Sequence, residues 1–406
     1  MNDFQKNYPY RHRSYSDMCQ WVSRRNFLLK GNAVPSEERW QKLGEGLLKG
    51  DDLADRVVEW MHEYGMKPGR GLFERALQNG IDSLSSEEQQ AAQPLTDFFK
   101  EVETTPDWLD KDLVALGGRV IDRCHPVSYY ILRNAGLMAG YLSSDLNKPL
   151  IMTGELKSGA NRRFSQTMKW FSDCVSPGGL ERNGDGFRST IHVRVMHALV
   201  RNRLSHHKDW DHADMGLPIN QTDMIATWLA FSVVFLAGSR TMGVIISPKE
   251  SKAVMHLWRY TCWLMGVNEE WLSDDEHEGR KLLFHTLATF RGPDENSRQL
   301  GRALMEEIPL IPFPLMRPLK WRLEQAKHLS VTMLFVGPSG MKKLGLPRWV
   351  PPWYPVLSLG LNLPRSLLLS IPSPLQRKAE LKGRERREKL IKLHFGVAKP
   401  DLASLK

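Results

Sequence analysis

The chain has 406 residues, 41% of them apolar and 25% charged, which is the balance of a large globular protein and excludes a disordered or fibrous class. Its net charge of +10 is uneven: residues 376–394 carry eight Lys/Arg against three Glu, half of the excess, so the remainder is too mildly basic to indicate a nucleic-acid surface. The four cysteines, Cys19, Cys124, Cys174 and Cys262, form no CxxC or CxxCH, which argues against a zinc ribbon, a thioredoxin-like site and covalent c-type haem.

The N-terminus, Met1-Asn-Asp-Phe-Gln-Lys, lacks the apolar core of a signal peptide, and with the cysteine usage this predicts a cytoplasmic protein. Residues 1–95 read as short polar helices packing on a core, with Ser36 and Ser85 as N-caps. Residues 96–300 read as a helical core. Helices are predicted at 113–116, 127–142, 164–175, 190–204, 223–236, 252–265 and 279–290, with no run of period-2 strands. The longest apolar run, Met224 to Gly238, is shorter than the ~20 residues a spanning helix needs, and is expected in the core. Residues 301–375 form a Pro-rich apolar extension holding 12 of the 24 prolines, where long helices are not expected. The basic tail, 376–406, is expected to begin as a solvated helix. The whole predicts an all-α protein.

One helix carries unusual chemistry. Arg194, His197 and Arg201 share one stripe of the apolar segment that begins at Thr190, while Val195, Met196, Leu199 and Val200 read as core. Charges on so apolar a helix must be paired. One imidazole between two guanidiniums suits an iron with two anionic arms, which haem b offers. The plain alternative is a core helix whose arginines meet Asp or Glu elsewhere. On the preceding helix Arg163, Thr167 and Trp170 again share a face, where Arg163 and Thr167 could hydrogen-bond bound dioxygen or a substrate oxygen; a Thr bonded to backbone is the plain alternative.

Two further segments have simpler readings. The run from Ser205 to Asp214 holds three His and three Asp, but without fixed ligand spacing it reads as a solvated loop after a helix end rather than a metal site. Asn220 and Asp223 read as a capped helix start. No GxGxxG, P-loop, GxSxG or HExxH occurs, so nucleotide, hydride and serine-hydrolase chemistry lack their usual support.

Between Asn134 and Leu272 the chain resembles the mpaB-type oxygenases and the latex clearing proteins (rubber oxygenases). The resemblance rests on the order of Gly136-Leu-Met-Ala-Gly-Tyr141, Thr153-Gly-Glu-Leu156, Arg162-Arg163-Phe-Ser-Gln-Thr167, Val193-Arg194-Val-Met-His197-Ala-Leu-Val-Arg201, Gly216-Leu-Pro-Ile-Asn-Gln-Thr-Asp223 and Trp258-Arg-Tyr-Thr-Cys-Trp-Leu-Met-Gly266. It implies a globin-like helical core holding haem b, with His197 as the proximal iron ligand, Arg194 and Arg201 as the arginines of its motif, and Arg163 and Thr167 as the family's Arg-x-x-x-Thr pair. The implied reaction is oxidative cleavage of a carbon–carbon double bond in an isoprenoid chain, with dioxygen as co-substrate. Latex clearing proteins carry a lysine just before that threonine, able to cap the distal iron. Gln166 stands there in this chain, so rubber as substrate loses that support. Their catalytic glutamate has no secure match; Glu155 is the nearest carboxylate. The resulting expectation is a haem b-dependent oxygenase of an apolar unsaturated lipid or isoprenoid, with peripheral membrane contact through the C-terminal third. The alternatives are a non-catalytic haem sensor or store, and a haem-free helical protein at a membrane surface.

Overall fold

In a computed structural model of the protein, residues 8–25, 33–154, 160–306 and 317–395 are described, and every regular element among them is helical. The N-terminal helices are α1 (Tyr15–Ser23), α2 (Glu37–Gly46), α3 (Asp52–Tyr64), α4 (Met66–Asn79), α5 (Ser86–Ala91) and α6 (Gln93–Glu103). The expected caps are in place: Ser36 accepts from the Arg39 amide, and Ser85 with Glu88 closes a capping box. Next come α7 (Lys111–Arg123), α8 (Val127–Ile131), α9 (Ser144–Met152), α10 (Ala160–Val175) and α11 (Asp185–Ser205). They are followed by α12 (His212–Met215), α13 (Gln221–Leu229), α14 (Phe235–Thr241), α15 (Pro248–Leu264), α16 (Glu276–Thr289) and α17 (Glu295–Glu306).

Two helices widen where periodicity alone predicts plain α. A π-helical segment, Leu132–Met138, continues α8, and another, Ala230–Val234, joins α13 to α14. The two π segments pack against each other. Beside them Trp170, Phe171, Phe231 and Trp258 form an aromatic centre, with ring centroids 5.0 Å apart for Phe231 and Trp258 and 5.2 Å for Trp170 and Phe231. The Gln221–Thr241 stretch is apolar and long enough to cross a membrane, but 72% of its most apolar 18-residue window is buried, as a core helix requires.

The expected segment boundaries do not divide the fold. One apolar cluster runs from Met18 to Leu346, and positions 95 and 300 fall inside α6 and α17. The Pro-rich extension is helical after all, forming α18 (Arg317–Lys343) and α19 (Trp353–Leu368). Its prolines sit where a helix tolerates them: Pro318 and Pro355 in first turns, and Pro338 after the break in α18 at Gly337 (φ 65°). Only Pro364 lies well inside α19.

The basic tail is a helix with a solvated outer face, as expected, but its inner face is docked. As α20 (Pro374–Phe395) it lies along α7 and α10, and Arg387 is only 2% exposed. Arg387 donates to Asp122 Oδ1 at 2.9 Å and to the Ser172 carbonyl at 2.8 Å. Gly383 lets the backbones meet, because a Cβ there would overlap the Asp122 carbonyl. A charge that is paired and hydrogen-bonded can be buried; the tail's charge count gave no sign of its partner.

Burial also makes the fold acid-sensitive. It pushes His12 down to about 3 and His125 and His285 down to about 4. These imidazoles stay neutral in the fold, whereas an unfolded chain protonates them near ~6.5. Between pH ~6.5 and ~4 the unfolded chain therefore holds more protons, and the stability they contribute falls as pH falls. Buried Asp122 and Asp223, raised by desolvation, act in the opposite sense, so single variants isolate the histidine effect. His285→Gln, which can keep the bond to the Ala33 carbonyl, should lose less urea stability than the wild type between pH 7 and 4.5. Equal losses would show that His285 does not contribute.

Candidate functional site

The site is set by α10 and α11, which a tight loop folds back on each other. Trp170 Nε1 donates to Thr190 Oγ1 at 2.9 Å, and Cys174 Sγ lies 3.9 Å from the Gly186 carbonyl. Thr167 lies one turn before Trp170 on α10, and His197 lies two turns after Thr190 on α11. Positions 163 and 167 on α10 and His197 on α11 thus belong to two helices that pack against each other. The Arg163 side chain and Glu155 lie outside the described residues. Thr167, Gln166 and His197 are half-buried, and His197 shares its face with half-buried Val193 and Val200. Met196, expected in the core, is 38% exposed, since it points away from α10.

The two arginines of the stripe have other partners. Arg194 is 3% exposed and grips Asp51 in a fork, with Nε 2.7 Å and Nη2 2.9 Å from its oxygens, while Glu101 Oε1 lies 3.3 Å from Nη2. Its guanidinium also lies over the Phe98 ring, 5.0 Å from the centroid. Burial works against this charge, but the Asp51 and Glu101 carboxylates outweigh it and hold Arg194 above the ordinary guanidinium value. Arg201 Nε lies 2.9 Å from Asp55 Oδ1, and Nη1 donates to the Ile219 carbonyl at 2.6 Å. Gly266 (φ 85°) leaves room for the first pair, where a Cβ would collide with Asp51 and Arg194 Nε.

These distances correct the reading of Arg194 and Arg201 as partners of an anionic cofactor. Both side chains are committed to carboxylates at the start of α3, and they bolt α11 to the N-terminal helices. That was the plain alternative in the sequence. Haem b is therefore matched in part by the donor chemistry: His197 suits an iron ion, and the guanidiniums beside it do not suit propionates.

The other candidates resolve as local structure. In the His/Asp loop, His206 Nδ1 lies 2.8 Å from the Asn202 carbonyl and His212 Nε2 2.8 Å from that of Ser205, while Asp211 caps α12. Asn220 caps α13 as expected, but Asp223 does more: both its carboxylate oxygens accept from Nη2 of buried Arg11, each at 2.9 Å. Sequence reasoning missed a buried polar group beside the first π segment. Asn134 Nδ2 lies 2.9 Å from His328 Nδ1, Thr332 donates to Asn134 at 3.1 Å, and the Tyr130 hydroxyl donates to Glu324 at 2.7 Å. Its members come from helices nearly 200 positions apart, which no local pattern reveals.

Residues 128–356 match the family described as "ER-bound oxygenase mpaB/B'/Rubber oxygenase, catalytic domain". The chain belongs to this family. The match spans more than half of the chain and contains α10, α11 and the aromatic centre, but not Asp51, Asp55 or Glu101. The rubber oxygenase of Streptomyces sp. (strain K30) is 22% identical over 182 residues, which are 44% of this chain and 44% of that protein. The aligned stretch thus spans less than half of this relative's length. The fold is shared with the latex clearing protein in its closed state, at a TM-score of 0.64 over 86% of this chain and 91% of the other, with 19% identity.

Proposed function

We propose that the protein is a haem b-dependent oxygenase that oxidises an apolar, unsaturated lipid or isoprenoid. What supports the proposal is that half-buried His197 and Thr167 lie on two helices that pack against each other, α11 and α10, inside the stretch that matches an oxygenase catalytic domain. His197 holds the iron. Bound there, haem supplies dioxygen chemistry that no protein side chain offers. Thr167, on the helix packed against that of His197, would donate its hydroxyl to an oxygen atom of dioxygen or substrate. Gln166 leaves the family's lysine position without an amine. The aromatic centre supplies apolar walls that exclude water. Arg194 and Arg201 keep α11, and with it His197, in place.

An absorption spectrum of the purified protein tests the first step, because bound haem gives an intense Soret band. Oxygen uptake that depends on an added unsaturated isoprenoid tests the second, and separates an oxygenase from a haem sensor. Thr167→Val keeps the side-chain shape and removes the hydroxyl. It should retain haem content while oxygen uptake falls about a hundredfold, the scale general for a lost positioned donor. Unchanged turnover, or loss of folding with haem, would remove Thr167 from the reaction.

A further inference from the structure

Helix α19 is inside out. Its polar residues face the protein: Ser358 is 6% exposed, Asn362 Nδ2 donates to the Met242 carbonyl at 2.9 Å, and Arg365 Nη2 lies 3.4 Å from the Arg123 carbonyl. Its outer surface carries Val356, Leu357, Leu359, Leu361, Leu367 and Leu368, each 43–69% exposed. Every exposed residue from Val356 to Leu368 is aliphatic, Gly or Pro. At ~100° per residue they cover roughly 200° of the helix circumference. A water-facing helix shows the reverse pattern.

We infer that α19 is a docking surface for a lipid bilayer, lying in the plane of the membrane with its leucines among the acyl chains. Three observations favour lipid over a protein partner. Protein interfaces carry aromatic and hydrogen-bonding groups with a polar rim, and leucine is under-represented at their hot spots, whereas this arc offers no polar group at all. Trp349 stands 65% exposed beside Arg348 just ahead of the helix, the type of residue that settles at a membrane–water boundary. Between Glu324 and Glu380 the chain has no Asp or Glu and seven Lys/Arg, a charge pattern complementary to anionic headgroups. At 16 residues α19 is about 24 Å long, too short to span a bilayer, so it lies flat. The α20 tail, part of the C-terminal third expected to make this contact, contributes less, because Arg387 and Arg384 are turned onto Asp122.

The test is co-sedimentation of the full chain with phosphatidylcholine vesicles, with and without phosphatidylserine, at low and high salt. The wild type should pellet with vesicles, more strongly with phosphatidylserine, and salt should remove that increment. A Leu361→Glu, Leu368→Glu double variant should bind about a hundredfold more weakly or worse, on the scale of losing two buried leucines. Both positions are outward, so its thermal midpoint should match the wild type. The inference is independent of haem and would survive a spectrum with no Soret band. It is overturned by a wild type that stays in the supernatant, by a double variant that pellets equally, or by a vesicle-free dimer that the double variant dissociates.

Discussion

His197→Ala should purify as a folded protein without a normal Soret band. The substitution removes the imidazole proposed to hold the iron and takes away a half-buried ring. Loss of a first ligand leaves only apolar contact to hold the cofactor, so haem content should fall at least tenfold. His192 is the matched control, since its Nε2 lies 2.8 Å from Glu74 Oε1, away from α10. His192→Ala should keep full haem. A His197→Ala protein with an unchanged band would show that the iron, if bound, sits elsewhere.

Arg194→Ala should cost about 3–5 kcal/mol of folding stability, the general penalty for leaving one partner of a buried ion pair alone. Asp51 is 5% exposed and would keep its charge without its fork. A urea titration reads the loss as a lower midpoint at unchanged slope. Arg194→Met combined with Asp51→Asn should recover part of it, because no buried charge is then left without its partner while Asn keeps the N-cap that Asp51 gives the Ala54 amide. The rival outcome is distinct: if Arg194 held a cofactor instead, Arg194→Ala would shed haem with little change in the apoprotein midpoint.

Much of the fold could be read from the chain. Helical periodicity, Ser and Asn caps and the absence of period-2 strands gave an all-α protein, because these signals are local. The stripe of Arg194, His197 and Arg201 was equally legible as geometry. Its partners were not, since Asp51 and Asp55 lie some 140 positions earlier on a helix that advertises only ordinary N-terminal acids. Proline was misread for a different reason: its cost depends on position within a turn, and Pro318, Pro338 and Pro355 all stand at starts or breaks. The docked α20 hid for the same reason as the stripe, through a single buried aspartate at position 122.

Ala230–Val234 gives chain length an angular meaning. A π turn carries one residue more than the α turn it replaces. Deleting one residue there would not simply shorten a loop; it would let the helix run on as regular α and rotate everything beyond it by about 100° relative to Gln221–Leu229. Phe235 and Leu236, now fully buried, would sweep off the core while Thr222 and Asp223 stayed pinned to Leu43 of α2 and to Arg11. Relatives aligned through this stretch should therefore tolerate substitutions at 230–234 more readily than a change in residue number.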